Sequence, residues 1–226
     1  MKPRPLIIAI DGPAGAGKST VARALAARLG LAYVDSGATY RAAALKVLEA
    51  AVSPGDPEAV IRLMAHTRIQ FLAREDQWQA LLDGRDVTGV IRTPEVTLAA
   101  AQVSRFPEVR EKMVALQRDL AAPPGLVMEG RDIGTVVFPD APVKIFLDAR
   151  PEERARRRLE QEQIEGRRAS LKQTAEEIRR RDQLDAERGI SPLVAAPDAV
   201  RIDSTRLTAP EVVERILELA RERKLI

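Results

Sequence analysis

The chain contains no cysteine, no asparagine, a single histidine and few aromatic residues. Without cysteine there can be no disulfide, no zinc–thiolate site and no thiol nucleophile. His66 stands alone, so a histidine metal cluster is excluded, and its position at a helix end reads as a surface residue. The lack of asparagine removes the Asn-Lys-x-Asp signature that a guanine-specific switch protein would need. No run of 18 apolar residues occurs, so no membrane span is predicted. The N-terminal MKPRPLIIAID has too short an apolar run for a signal peptide, and a cytoplasmic protein is expected. The net charge of +3 invites a nucleic-acid partner. Charges of both signs are mixed along the chain, however, there is no basic tail, and aromatics for base stacking make up only 3% of residues. No nucleic-acid partner is therefore expected.

What the chain does have is a glycine-rich turn between two strongly patterned segments. Ile7 to Thr20 reads IIAIDGPAGAGKST: a buried strand, a loop and the first turn of a helix. Within it, Gly12, Pro13, Ala14, Gly15, Ala16, Gly17, Lys18 and Ser19 fit G-x-x-x-x-G-K-[ST] at every fixed position, and Thr20 follows. The glycines let the backbone approach a ligand. Successive N–H groups and the helix N-terminus then favour an anion. Lys18 supplies a mobile charge for the β- and γ-phosphates of a nucleoside triphosphate, and the Ser19 hydroxyl is placed to hold Mg²⁺.

The rest of the chain alternates strands and helices. Helix 18–29 carries an apolar stripe at Val21, Leu25 and Leu29. A short strand, 31–34, leads to DSGATYR and a helix reaching about Ala51. Asp35-Ser36 reads either as a helix cap or as a ligand-facing strand end. Arg41, in the first turn of that helix, opposes the helix dipole, and an anion-binding duty is one reason to tolerate it. After a helix at about 56–65, segments 68–73, 77–82 and 85–91 alternate like strands, with turns at Glu75-Asp76 and Asp83-Gly84. They form a predicted antiparallel meander inserted into the main pattern, with Trp78 in its local core. Helices follow at about 93–105 and 108–121. Strands follow at 126–129, 142–148 and 199–203, and a capped helix begins at Thr208 with Val212, Ile216 and Leu219 facing inward.

Residues 150–168 hold seven arginines and five glutamates and almost no large apolar side chain. Arg154, Arg157 and Arg158 share one helical face. Such a segment is either a solvated helix laced by ion pairs or a mobile lid that brings arginines to phosphates; the composition and Gly166 favour the lid. Arginine outnumbers lysine 29 to 7 over the chain, and its planar fork suits phosphates and carboxylates. No nucleophile–base pair is apparent. Phosphoryl transfer needs positioning and charge neutralisation more than covalent chemistry, and a phosphate acceptor is already anionic at neutral pH.

Several stretches resemble bacterial cytidylate kinases nearly end to end: DGPAGAGKST, DSGATYR, IRTPEV, QVSRFPEVR, EGRDIGTVVFPDAPVKIFLDA, RRRDQLDAER and SPLVAA. The run through Gly130–Asp148 is the most family-specific. The resemblance implies an α/β P-loop kinase fold with a five-stranded parallel sheet flanked by helices. It assigns residues 1–65, 93–150 and 169–226 to the core, 66–92 to a β insert that binds the acceptor, and 151–168 to a helical lid. It implies transfer of the γ-phosphate of ATP to CMP or dCMP with Mg²⁺; a monomer is expected. By position, Ser36, Arg41 and Arg131 are expected to hold the acceptor phosphate, and Arg110 and Asp132 to read the cytosine. Arg181 and Asp185 are expected on the ribose, with Arg188 supporting them. Arg154, Arg157 and Arg158 match lid arginines that close on ATP. Lys18, Arg131, Asp132 and Arg188 are the residues expected to act in the transfer. Two positions depart from the family pattern. Ala101 stands where a serine often helps bind the cytosine amino group, which predicts weaker discrimination against UMP, with Ser104 one turn on as a substitute. Glu129 stands where an aspartate often precedes GRD; it retains a carboxylate suited to Mg²⁺ or its water shell.

Overall fold

The computed structural model describes residues 5–74, 77–164, 166, 169–186 and 189–226. In chain order the first half comprises β1 (Leu6–Asp11), α1 (Lys18–Leu29), β2 (Ala32–Asp35), α2 (Ser36–Glu49), α3 (Pro57–Ala65), β3 (Ile69–Arg74), β4 (Gln77–Leu82), β5 (Arg85–Asp86) and α4 (Pro94–Val103). The second half comprises α5 (Pro107–Asp119), β6 (Gly125–Gly130), β7 (Val143–Asp148), α6 (Pro151–Ile164), α7 (Leu171–Ala186), β8 (Val200–Asp203) and α8 (Ala209–Glu222). The expected five-stranded parallel sheet is present, in the order β2-β6-β1-β7-β8.

Alternation along β1 feeds both faces of this sheet. Ile8 and Ile10 pack with Val143, Ile145 and Leu147 of β7 against Val21 and Leu25 of α1 and Val212, Ile216 and Leu217 of α8. Ile7 and Ala9 face the other way, with Leu126, Met128 and Val114. On α8 the inward positions are completed by Leu217 and Ala220, while the expected Leu219 is only partly buried. A reciprocal capping box between Thr208 and Glu211 starts that helix. Ser170 and Gln173 make the corresponding bonds at the start of α7.

The second sheet is antiparallel, in the order β3-β4-β5. Its register pairs Ile69 with Leu82 and Phe71 with Ala80. These side chains share one cluster with Ala42 and Leu45 of α2 and Val96 and Ala99 of α4, so the small sheet is packed against helices. Trp78 lies where this cluster meets the core under β6. Asp83 and Gly84 both have positive φ, as a two-residue hairpin turn requires; the Glu75-Asp76 turn lies outside the described residues. The third strand expected at 85–91 is cut to Arg85–Asp86. The Asp86 carboxylate accepts from the Thr88 N–H and hydroxyl, which folds the chain back, and a 3₁₀ turn follows at Val90–Arg92.

All five main strands run the same way, so their C-terminal ends lie along one edge of the sheet. Asp35 is level with Glu129, Asp11 with Gly130 and Asp148 with Asp203. That edge is where open α/β sheets bind ligands.

Candidate active site

The glycine-rich loop runs from the end of β1 to the start of α1. Gly12 has φ 150°, and a Cβ there would collide with the Leu147 carbonyl of the neighbouring strand. The lack of a side chain thus lets the loop leave the sheet at this point. The Lys18 side chain is buried, and its ammonium donates to the Pro13 carbonyl at 2.8 Å. Burial, then the nearby Arg131 charge, push its pKa down to about 7. Ser19 and Thr20 are exposed at the head of α1.

A second group of cations stands across the edge. The Arg131 Nε donates to Asp185 of α7 at 2.7 Å. Burial opposes the Arg131 charge, but Asp185 outweighs it and raises the pKa. Arg181 is pushed down to about 10, first by burial and next by Arg131. Lys18, Arg131 and Arg181 therefore crowd one region whose remaining need is an anion.

Arg41 lies in the second turn of α2 and not in the expected first turn, because that helix already starts at Ser36. Its guanidinium pairs with Asp35 at 2.6 Å, which offsets the unfavourable dipole, and its Nε is buried without a hydrogen-bond partner. Burial alone would raise the Asp35 carboxyl; Arg41 outweighs it and holds it below the ordinary range. Asp35 thus serves Arg41 and makes no side-chain cap. Ser36 is buried next to Gly130, where a Cβ would come within 2.5 Å of its hydroxyl oxygen.

Arg110 of α5 and Asp132 form a buried ion pair. The guanidinium also reaches the Ser104 carbonyl at 3.4 Å and lies 5.4 Å from the centre of the Tyr40 ring. The Ser104 hydroxyl donates to the Ala101 carbonyl at 3.1 Å. Glu129, at the end of β6, accepts from the Tyr33 hydroxyl at 2.6 Å, and Arg23 lies over the Tyr33 ring.

Two arginines of α6 are anchored to the phosphate loop. Arg154 is buried and donates to the Ala14 carbonyl at 3.0 Å and to Asp182. Arg157 donates to Ser204 and reaches the Ala16 carbonyl at 3.4 Å. Arg158 is more open and pairs with Glu162 at 3.1 Å. Arg188 lies outside the described residues.

Two acidic residues were not marked by the sequence. Asp11, immediately before Gly12, accepts from the backbone N–H groups of Ile133 and Gly134. Asp182 takes the Ala14 N–H at 3.3 Å and ties it to Arg154. Their neighbours in sequence were legible as motif residues; their partners, more than 100 positions away for Asp11 and the loop bond of Asp182, were not.

Comparison with known proteins adds sequence relationships to this geometry. A family model described as cytidylate kinase matches residues 8–222. A curated cytidylate kinase from Geobacillus kaustophilus is 51% identical over 220 residues, covering 97% of this chain and 98% of the relative. Another, from Azotobacter vinelandii, is 49% identical over 219 residues and 96% of each chain. One from an Enterobacter species is 48% identical over 217 residues, again 96% of each.

Proposed function

This chain belongs to the cytidylate kinase family, and from that membership we infer that it transfers the γ-phosphoryl group of ATP to CMP or dCMP, giving ADP and CDP or dCDP. The observation that best supports a cytosine acceptor is the buried pairing of Arg110 with Asp132 beside the cation cluster. Cytosine presents an amino donor at N4 and acceptors at N3 and O2. A carboxylate suits the first and a guanidinium the others. Uracil carries N3–H and O4 instead and mispairs both groups, at about 1–3 kcal/mol for each buried polar group left unsatisfied.

In this reading Ser36, Arg41 and Arg131 hold the acceptor phosphate, supported by Arg188, and Arg181 with Asp185 holds the ribose. The loop from Gly12 to Thr20 holds the triphosphate, with Lys18 at its β- and γ-phosphates. Segment 66–92 serves as the acceptor-binding insert and 151–168 as the lid, on the core formed by the rest. Arg154, Arg157 and Arg158 are the lid arginines on the donor side. The first two already grip loop carbonyls, so they are near the donor site.

The chemistry then follows from charge. The second pKa of a phosphomonoester is about 6, so the acceptor oxygen is anionic at neutral pH. That oxygen forms a bond to the γ-phosphorus as the bond to the β–γ bridging oxygen breaks, and no proton has to move. Lys18, Arg131 and Arg181 are costly to hold together in the free protein, and two bound phosphates relieve that cost. The Ser19 hydroxyl, exposed beside the loop at the head of α1, would hold Mg²⁺, which would neutralise charge on the triphosphate. The same proposal extends to a monomer in the cytoplasm; sedimentation velocity tests the monomeric state.

A coupled ADP-release assay with CMP, dCMP, UMP, AMP and water as parallel acceptors tests the reaction. CMP and dCMP should accelerate ADP release well above water. No acceleration by either would overturn the assignment.

A further inference from the structure

Asp11 ends the central strand β1 and directly precedes the phosphate loop, and its side chain bonds to a distant segment. Its Oδ1 accepts from the Ile133 N–H at 2.8 Å and its Oδ2 from the Gly134 N–H at 2.7 Å. These are the first two residues of a π-helical turn, Ile133–Val137. Between that turn and the end of β6 at Gly130 lie only Arg131 and Asp132. The two-residue bridge is thus fixed at both ends: Gly130 by its place in the sheet level with Asp11, and Ile133 by the Asp11 carboxylate. Arg131 projects from it to Asp185, and Asp132 to Arg110.

We propose that Asp11 is a positioning residue that couples the donor loop to the acceptor-binding Arg131–Asp132 segment, setting the relative placement of the two phosphates. A neutral cap such as asparagine or serine avoids burying a charge, whereas a carboxylate is the side chain that can accept two adjacent N–H groups with two oxygens. Asp11 is 4% exposed, and burial pushes its carboxyl up to about 6 despite the two N–H groups. Its retention as a buried acid therefore works against stability, and the return is geometric: one rigid carboxylate ties residue 11 to residues 133 and 134. An ångström of misplacement between reacting groups is enough to slow a positioned transfer by about 100-fold.

The inference rests on the reading that Arg131 and Asp132 bind the acceptor, and the test separates the two. Steady-state kinetics with CMP and ATP varied independently are measured for wild type, Asp11→Asn, Asp132→Asn and the double variant, together with Arg131→Ala. Asp11→Asn should raise KM for CMP and lower kcat, each by about tenfold or more, with KM for ATP within about twofold of wild type. In the Asp132→Asn background the further effect of Asp11→Asn should be several-fold smaller, because both changes disturb the same segment. Equal increases in both KM values, or effects that multiply independently in the double variant, overturn the coupling. Asp11→Glu keeps both acceptor oxygens and moves them by one methylene; if it folds and leaves CMP kinetics unchanged, the coupling also fails. If Arg131→Ala leaves KM for CMP unchanged, the acceptor assignment itself is wrong and the coupling falls with it. A large Arg131→Ala effect with no Asp11→Asn effect sinks only the coupling.

Discussion

Arg110 and Asp132 pair with each other in the interior, with side chains only 4% and 7% exposed. One comes from a helix and the other from the segment after a sheet strand, 22 positions apart. A buried pair of this kind is a poor source of stability, because desolvation consumes most of the attraction, but breaking it leaves one charge stranded. Arg110→Ala should therefore destabilise the protein by about 3–5 kcal/mol. An Arg110→Met, Asp132→Leu double variant should recover most of that loss while remaining inactive towards CMP. Urea denaturation and the ADP-release assay measure the two effects. Recovery of activity along with stability would show that the pair serves packing alone.

Lys18 has a pKa near 7 in the free protein, so it is about half protonated at neutral pH. A bound triphosphate favours its charged form. Binding ATP at pH 7 should therefore take up about half a proton at this site, and the uptake should vanish in Lys18→Ala. Calorimetry in buffers of different ionisation enthalpy reads this directly. Equal proton uptake in wild type and Lys18→Ala would exclude Lys18 as its source.

The fold was legible where the signal is local. LIIAI, the helix spacing of Val21 and Leu25, and the Thr208–Glu211 cap are each decided by neighbours in sequence, and each appears as expected. The third strand of the small sheet was less legible, because the Asp86 side chain competes with backbone pairing over a two-residue span. The π-helical turn at Ile133–Val137 carried no periodic signal at all; it depends on a carboxylate 122 positions earlier. The arginines of α6 show a further limit. Spacing put Arg154, Arg157 and Arg158 on one face, but it could not say that two of them are held by the Ala14 and Ala16 carbonyls.

Asp11 should leave a signature in the pH dependence of stability. Its folded-state pKa of about 6 lies above the ordinary 3.8, so between those values the native state binds the extra proton. Stability from this group is then greatest at low pH and falls as pH rises through 6. Relative to Asp11→Asn, wild type should lose about 2.4 kcal/mol between pH 4 and pH 7. Asp35 is held below its ordinary value, so its contribution is present above 3.8 and lost only at more acid pH, outside this window. Urea denaturation of both proteins across the range tests the sign. A gap that does not change with pH would mean Asp11 titrates as it does in the unfolded chain.

Ala101 and Ser104 set the expected selectivity. Ala101 lies on α4, and its carbonyl already receives the Ser104 hydroxyl proton at 3.1 Å. The Ser104 oxygen retains lone pairs and can accept from a cytosine amino group, but it cannot donate to uracil O4 without breaking the bond to Ala101. That favours cytosine, although from a hydroxyl one turn away from the position at which the serine is expected. Ala101→Ser adds a second hydroxyl on the same helix. It should lower KM for CMP and raise the ratio of kcat/KM for CMP over UMP by about fivefold or more, consistent with one added hydrogen bond of about 1 kcal/mol. Ser104→Ala should move the ratio the other way, and its effect should shrink once Ala101→Ser is present, since the two hydroxyls serve one amino group. Unchanged CMP to UMP ratios in both single variants would mean that Arg110 and Asp132 make the distinction without help from α4.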